Sequence, residues 1–457
     1  MNSSWKMGKF LGVLILLLFP FETSLTMAEE LLPQPGKPLT LKQARAIALK
    51  VNPAIVSSKE TVAANKAAVE QALAAYYPQV NFNNSYTSLT TNFSTSATSS
   101  VSGGVVPLPG AGGGRNRYAW NFTDIVSSGL AATLTIYDFG RTASNVKINK
   151  ENVQAGEENV ATTRLNVILN VDQAYYGVLQ TKALVGVGEE VVRQTKQRLD
   201  QAQGFYQAGT RPKIDVTKAE VDLTNADQAL IQAKNNYQVA QATLNNAIGI
   251  RQDLTYPVND ELDFTPRTIT LKEIVEQAYE QRPEIAQFKA QQRAQQAAIQ
   301  LARATYYPIL SGNATYQYRS TGFDQSFYWD TFLGASLNFP IFSGFSTPAQ
   351  IAQGQAVLRS LQAQEESLKL NIRLESEQAY LGQQLATEQI RVTEKSVVYA
   401  RENYELASGR YQVGVGQPLE ITDAEVQLAN ARANYITALY NLKVSEAKID
   451  KAMAINK

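Results

Sequence analysis

Few side chains in this sequence are of a type that supports chemistry, and those with a pattern lie beside two turns. The chain of 457 residues has no Cys and no His, which excludes Cys nucleophiles, His general bases and His/Cys metal sites. The patterned acids are Asp215 after one turn, and Glu420 and Asp423 after the other. Glu420 and Asp423 are three residues apart and therefore share one face of a helix. Carboxylates so placed either attract cations or only stabilise a first helical turn through the helix dipole.

The two turns have the same sequence pattern, because residues 206–221 match residues 411–426 at a distance of 205 residues. Gly suits the left-handed position at a helix end, and Pro suits the first turn of the next helix. The sequence therefore predicts two helix–turn–helix tips, a first tip at 209–215 and a second tip at 414–420. The turn residues are Gly209 and Pro212 in the first tip, and Gly414, Gly416 and Pro418 in the second.

The tips belong to a duplication of the whole chain. Residues 39–42 return at 269–272, and a Tyr-Tyr-Pro triplet at 76–78 returns at 306–308, each 230 residues later. The predicted first repeat spans 29–268 and the second spans 269–457. Each repeat is expected to contain helices, two strands, a long helix, a tip and a returning helix.

Residues 1–28 are typical of a secretory signal peptide, with two Lys residues, an apolar run of 12 residues and a small-residue end. The apolar run is too short for a membrane-spanning helix, which needs about 20 residues. The remaining chain has 40 basic and 40 acidic residues. Since nucleic-acid binding needs a clustered basic excess, nucleic acid is not an expected partner.

Between the helices the hydrophobic period changes to two, which predicts strands at about 80–95, 117–137, 309–320 and 327–342. Alternating strands of this length are typical of an outer-membrane barrel, although a soluble two-sided sheet is an alternative. Four strands cannot close a barrel, so several chains would have to share one. The expected interfacial aromatic residues are Trp120 and Trp329 at the loop-facing strand ends, and Tyr76 and Tyr306 at the opposite ends.

Stretches with helical periodicity and almost no Pro surround the strands and the tips. They predict long helices at 141–208 and 345–413, and returning helices at 215–248 and 420–453. Apolar residues recur along the returning helices at spacings of three and four, which indicates a coiled-coil seam. An ordinary amphipathic bundle explains the same spacing equally well.

The duplicated order of strands, long helices and tips, with paired Tyr-Tyr-Pro junctions, resembles the TolC-type outer-membrane efflux protein family. The resemblance implies an α+β membrane protein. It also implies a homotrimer. In this homotrimer a shared 12-stranded transmembrane β-barrel, with four strands from each chain, continues into a long antiparallel α-helical barrel. It also implies a passive channel in the outer membrane of a Gram-negative bacterium, which extends into the periplasm and is gated at the tips. The implied partners are a periplasmic adaptor, an inner-membrane transporter and outer-membrane lipid, with no cofactor.

The resemblance further implies roles for individual tip residues. Glu420 and Asp423 correspond to the acids that ring the narrowest point of the channel, and the turn residues of both tips correspond to the adaptor contact. The implied gate latch comprises Asp215, which pairs with Tyr411, together with Tyr206 and Arg211. One departure concerns the latch. Gly416 stands where the family often has an Arg, while Arg211 takes that place in the first tip, which leaves room for a different arrangement of bonds.

Two rival functions stay open at this point. The exit duct of a type I protein secretion system uses the same architecture, and a soluble periplasmic coiled-coil scaffold needs no barrel. An enzyme has little support. The Asp-Phe-Gly triplet at 138–140 resembles a kinase fragment but lacks the accompanying Gly-rich loop, catalytic Lys and catalytic loop, and we interpret it as a strand-to-helix turn.

Overall fold

A computed structural model of the chain describes residues 38–91, 100–101, 104–105, 121–250, 256–259, 264–265, 267–320 and 326–455. The predicted signal peptide and Trp120 lie outside these residues. The first repeat contains helices α1 (Leu41–Val51) and α2 (Pro53–Leu73), strands β1 (Gln79–Thr91), β2 (Ser100–Val101), β3 (Gly104–Val105) and β4 (Asn121–Tyr137), and helices α3 (Arg141–Gln207) and α4 (Lys213–Ile248). The second contains helices α5 (Leu271–Gln281) and α6 (Pro283–Ala304), strands β5 (Ile309–Ser320) and β6 (Tyr328–Asn338), and helices α7 (Ser346–Gln412) and α8 (Pro418–Ala452).

The short helices at the start of each repeat have matching ends. Thr40 and Gln43 form a capping box before α1, and Thr270 and Glu273 form the equivalent box before α5. Both α2 and α6 then begin at a Pro, whose missing N–H has no helical partner in the first turn anyway. The duplication seen in the sequence is therefore repeated in local structure.

The four long strands form one antiparallel sheet in the order β1-β4-β5-β6. The two repeats meet between β4 and β5, so each contributes one hairpin. Within the described residues, β1 and β6 each pair on one side only and are the edges of the sheet. The short strands β2 and β3 pair separately with each other, inside the stretch between the first two predicted strands.

The register gives this sheet one apolar face and one polar face. Residues paired directly across the strands share a face, because successive side chains on a strand point to opposite sides. One face carries Phe82, Leu130, Tyr316 and Thr331 in one row, and Val80, Ala132, Ala314 and Leu333 in the next. The other face carries Asn83, Gly129, Gln317 and Asp330, followed by Ser85, Ser127, Arg319 and Tyr328. The alternation in the sequence is thus in phase across all four strands.

Strand β6 ends four residues before its predicted boundary at 342. Pro340 has no N–H for a ladder bond, and Gly344 and Phe345 then adopt left-handed conformations with φ of 61° and 64°. Strand β1 is described as far as Thr91, and the predicted extension to 95 lies outside the described residues. The helices begin and end within two residues of the predicted positions.

The Asp-Phe-Gly triplet forms a turn between β4 and α3. The Asp138 carboxylate accepts hydrogen bonds from the N–H of Gly140 at 3.1 Å and the N–H of Thr142 at 2.7 Å. It also accepts one from the Thr142 hydroxyl at 2.5 Å. These contacts satisfy free donors at the start of α3, which is a capping role.

The chain is divided into two compact units that do not coincide with the repeats. One unit contains the described residues of Met1–Ser58, Val160–Arg282 and Asn371–Lys457, and the other contains Lys59–Asn159 and Pro283–Leu370. Each unit takes segments from both repeats, so neither repeat is a separate compact domain. The tips and the returning helices lie in the first unit, and the four-stranded sheet lies in the second.

The main core of the first unit lies where α3 packs against α1 and α4. Val171, Tyr175 and Leu179 of α3 are buried there with Leu244 and Ile248 of α4. The Tyr175 hydroxyl donates to the backbone oxygens of Leu39 at 3.1 Å and Asn259 at 2.8 Å, so its polar atom is satisfied inside the core. Among the described helices, none carries an apolar stretch long enough to cross a membrane.

Candidate functional site

Both tips end their long helix with the same backbone motif. In the first tip, Gly209 has φ of 74°, and the N–H of Thr210 donates to the carbonyl of Phe205 at 3.0 Å. In the second tip, Gly414 has φ of 82°, and the N–H of Val415 donates to the carbonyl of Arg410 at 3.1 Å. This six-residue hydrogen bond over a left-handed Gly is the Schellman motif. The matching glycines of the sequence therefore occupy matching helix ends.

The returning helices begin at the prolines of the tips. Pro212 is the residue before the first turn of α4, and Pro418 is the first residue of α8. The intervening Gly416 is packed against its own helix end, where its N–H donates to the carbonyl of Arg410 at 2.8 Å. A Cβ at this position would lie 2.8 Å from the Tyr411 nitrogen and 2.9 Å from the Arg410 carbonyl carbon. This close approach explains why Gly, rather than Arg, stands here.

Replacing Gly416 by Ala is expected to loosen the second tip. Overpacking against backbone costs about 1–3 kcal/mol, and a backbone neighbour yields less easily than a side chain. We expect faster trypsin cleavage after Arg410 in this variant. Gly409→Ala is the matched control, since a Cβ at this helical position meets nothing within 4 Å. Equal cleavage rates in both variants would show that the close approach does not constrain the tip.

Arg211 connects the two tips. Its Nη2 donates to the carbonyl oxygen of Gly416 at 2.7 Å and lies 3.3 Å from that of Gly414. Its Nη1 lies 3.4 Å from a carboxylate oxygen of Asp215 in the next turn. An Arg presents several donors in a rigid plane, so one side chain can hold an acid of its own tip and two carbonyls of the other.

Tyr411 forms the apolar side of this contact. Its side chain is only 1% exposed and packs with Ala407, Ile421 and Ala424. The Arg211 guanidinium lies 5.0 Å from its ring centroid, within the range of a cation–π interaction. Burial raises the pKa of Tyr411; the Asp215 carboxylate adds to the rise and the Arg211 guanidinium opposes it.

The arrangement differs from the latch that the resemblance implied. Asp215 and Tyr411 share no hydrogen bond in the described structure, and both instead lie against Arg211. Tyr206, the first-repeat counterpart of Tyr411, is half exposed and takes no part in the cluster. The physical reason is that the Arg is on the first tip, as Arg211, while Gly416 occupies the equivalent position of the second tip. The Arg211 guanidinium therefore reaches across to the backbone carbonyls of the second tip.

Glu420 and Asp423 both lie on the surface of the single chain, in the first two turns of α8. A carboxylate oxygen of Glu420 lies 3.6 Å from Nε of Arg410, and both side chains are well exposed. Such a surface pair contributes little to stability. The two acids are therefore free to act on the solvent or on ions at the end of the helix.

A charged cluster close to the tips, formed by Arg198, Asp222 and Glu425, was not predicted from the sequence. The duplication gives no sign of it. Glu220 and Glu425 are equivalent in the duplicated Ala-Glu-Val segments, yet Glu220 is exposed and Glu425 is buried. The repeat counterpart of Arg198 is Asn403, so the sequence carries no matching signal for the cation either.

The predicted interfacial aromatic residues are exposed where the structure describes them. Trp329 lies on edge strand β6 opposite Tyr318, and its side chain is on the apolar face of the sheet. Tyr76 and Tyr306 lie just before β1 and β5, and both are half exposed. Aromatic side chains at the ends of an apolar band are typical of a membrane–water interface.

Comparison with known proteins identifies the family. Residues 45–250 and 274–454 match the family described as outer membrane efflux protein. The outer membrane protein TolC of Escherichia coli is 21% identical over 346 residues, which cover 72% of this chain and 70% of TolC. The probable efflux pump outer membrane protein TtgC of Pseudomonas putida is 24% identical over 355 residues, covering 75% and 73%.

Solved structures share the fold. The CmeC outer membrane channel of Campylobacter jejuni matches with a TM-score of 0.73 at 18% identity, over 91% of this chain and 85% of that one. The outer membrane protein VceC of Vibrio cholerae matches with a TM-score of 0.72 at 17% identity, over 91% and 96%. The TolC-like fold, the outer-membrane location and the efflux function predicted from the sequence are confirmed. The family match covers most of the length of this chain and includes both repeats, so this chain belongs to the outer membrane efflux protein family.

Proposed function

We propose that three copies of this outer-membrane channel form the exit duct of a tripartite efflux pump. The duct conducts substrates passively from an inner-membrane transporter and a periplasmic adaptor, and it closes at the tips. The observation that carries the proposal is the four-stranded sheet, with one apolar face and an open strand at each edge.

The open edges require partners inside a membrane. Among the described residues, no strand pairs with the outer sides of β1 and β6, and lipid offers no hydrogen bonds to the backbone N–H and C=O groups there. Single-chain membrane barrels have at least eight strands. Pairing β1 of one copy with β6 of the next removes every edge, and three copies then supply twelve strands.

The long helices offer a second surface that suits another copy. Leu385, Val392, Tyr399 and Leu406 are exposed on α7 at intervals of seven residues, and Leu374 and Leu381, also seven apart, precede them at a spacing of four. A heptad row of apolar side chains is the seam through which helices pack side by side. Exposed apolar residues on α4, Ile214, Val221, Ile231 and Val239, provide a complementary row in the neighbouring copy.

The detergent-solubilised protein is therefore expected to be a trimer by native mass or light scattering. Its edges are tested by the double variant Asn83→Cys and Asp330→Cys, with one thiol on β1 and one on β6, since the natural chain has no Cys. Within one chain the two positions lie directly opposite each other on the first and the fourth strand of the sheet. Because neighbouring strands are about 4.8 Å apart, the two thiols of one chain are about 14 Å apart. A linker of about 8 Å is too short for that distance and therefore joins different copies only.

We expect the double variant to give covalent dimers and trimers after cross-linking, whereas each single variant gives neither. A monodisperse monomer that keeps its full β-sheet signal would contradict the shared barrel.

The relatives support the choice of pump partners, because several are described as efflux pump outer membrane proteins. Purification from cross-linked cell envelopes is expected to recover an adaptor and an inner-membrane efflux transporter with this chain. Recovery of a dedicated protein-export ATPase and its secreted protein instead would favour a type I secretion duct.

A further inference from the structure

A buried charged cluster joins three helices near the tips. The Nη1 atom of Arg198 on α3 donates to Oε2 of Glu425 on α8, and its Nη2 donates to Oδ2 of Asp222 on α4 at 3.0 Å. Two hydroxyls complete the cluster: Thr195 donates to Glu425 at 3.1 Å, and Thr422 donates to Asp222 at 3.2 Å. One guanidinium therefore holds carboxylates from two returning helices.

The cluster is largely shielded from solvent and has two acids for one base. The side chains of Arg198 and Glu425 are each 6% exposed, and that of Asp222 is 19% exposed. Burial raises the pKa of Glu425 and the Asp222 charge adds to the rise, while Arg198 and Thr195 oppose it. The buried Glu425 and the partly buried Asp222 share one cation, Arg198, which offsets the repulsion between the two carboxylates.

The cluster holds the helical segment that carries the predicted acid ring. Glu425 follows Asp423 by two residues and Glu420 by five, and Thr422 lies between these acids. On the second tip, Arg211 contacts the Tyr411 ring at the end of α7 and the carbonyls of Gly414 and Gly416 in the loop before α8. The first turns of α8 thus have a second attachment to α3 and α4, which the tip contacts do not supply.

We propose that Arg198 is a positioning residue of the gate, which holds the first turns of α8 against α3 and α4 in the closed tip. The inference rests on the proposed function as a channel closed at its tips. Opening the tip swings this part of α8 and separates Glu425 from Arg198. The cluster therefore acts as a second constraint on opening, behind the Arg211 contact.

The substitution Arg198→Met tests this directly. It keeps most of the side-chain volume and leaves the buried Glu425 and the partly buried Asp222 without their cation, which favours separation of α8 from α4. We expect a several-fold rise in single-channel conductance in planar bilayers. Adding Glu425→Leu to Arg198→Met removes one of the two repelling carboxylates, and we expect the conductance to return close to that of the wild-type channel.

A matched control uses Arg193 on the same helix. Arg193 pairs at the surface of α3 with Glu190, three residues away on the same helix. Arg193→Met removes the same charge and should leave the conductance unchanged. All variants are compared at equal trimer content, measured in detergent before reconstitution.

The outcomes separate the inference from the proposed function. Wild-type protein that forms no pores overturns the proposed function. Conducting wild-type protein with an equally closed Arg198→Met variant overturns the inference alone. So does a raised conductance that Glu425→Leu fails to lower, because lost packing rather than unpaired charge would then be the cause. If Arg198→Met does not assemble, Arg198→Lys keeps the charge but loses the two-pronged contact; an intermediate conductance supports the proposal, and wild-type conductance overturns it.

Discussion

Channels formed by the Glu420→Ala, Asp423→Ala double variant are expected to lose most of their preference for cations. In the proposed trimer, three copies of each acid surround one axis at the start of α8, where both are exposed in the single chain. Six carboxylates at a narrow mouth focus a negative potential that concentrates cations and repels anions. Their removal therefore acts on ion selectivity much more than on assembly.

Reversal potentials across a salt gradient in planar bilayers measure this change. Block by multivalent cations added from the tip side should weaken in parallel. Glu402→Ala with Glu405→Ala is a matched control, since these exposed acids are also three residues apart and lie in the last three turns of α7. Unchanged selectivity in the Glu420/Asp423 variant would mean that these acids only stabilise the first turns of α8 and that the constriction lies elsewhere.

Replacing Arg211 by Ala is expected to raise single-channel conductance several-fold while leaving cation selectivity in place. The substitution removes the hydrogen bond to Gly416, the ion pair with Asp215 and the contact with the Tyr411 ring at once. The contacts with Gly416 and with the Tyr411 ring join the two tips of one chain, so their loss favours the open arrangement. Glu420 and Asp423 on α8 remain, so the negative potential that favours cations remains as well.

Conductance and reversal potential are measured on the same channels, which separates opening from selectivity. Lys213→Ala is the control, because Lys213 is an exposed cation two residues further along the same tip. Tyr411→Phe keeps the ring against Arg211 and should stay near wild type, whereas a direct Asp215–Tyr411 bond would make this variant open. A closed Arg211→Ala channel would contradict the role given to the guanidinium.

The sequence alone determined the elements of this protein and their order. The period of two along 309–320 predicted strand β5 at the residues where it occurs. The paired Gly and Pro residues predicted both tips, because left-handed backbone and the missing Pro N–H act within a few residues. The duplicated order of strands, long helices and tips, with its paired Tyr-Tyr-Pro junctions, carried the resemblance to the family that the family match confirmed. The strand and tip signals depend on backbone preferences that act over a few residues, and the repeats are visible by comparing one half of the sequence with the other.

Only the tertiary structure decided how distant segments meet. The sheet order that joins the repeats through β4 and β5 follows from hydrogen bonds between strands almost 200 residues apart in the chain. Arg211 donates to carbonyls more than 200 residues away in the chain. Those carbonyls belong to Gly414 and Gly416, which have no side chain from which the pairing could be predicted. Glu425 is buried while its repeat counterpart Glu220 is exposed, because Arg198 packs against one and not the other. Whether a charged side chain is buried and paired depends on which residues pack against it in three dimensions. Two equivalent positions of a sequence repeat can have different neighbours, so the repeat does not predict them.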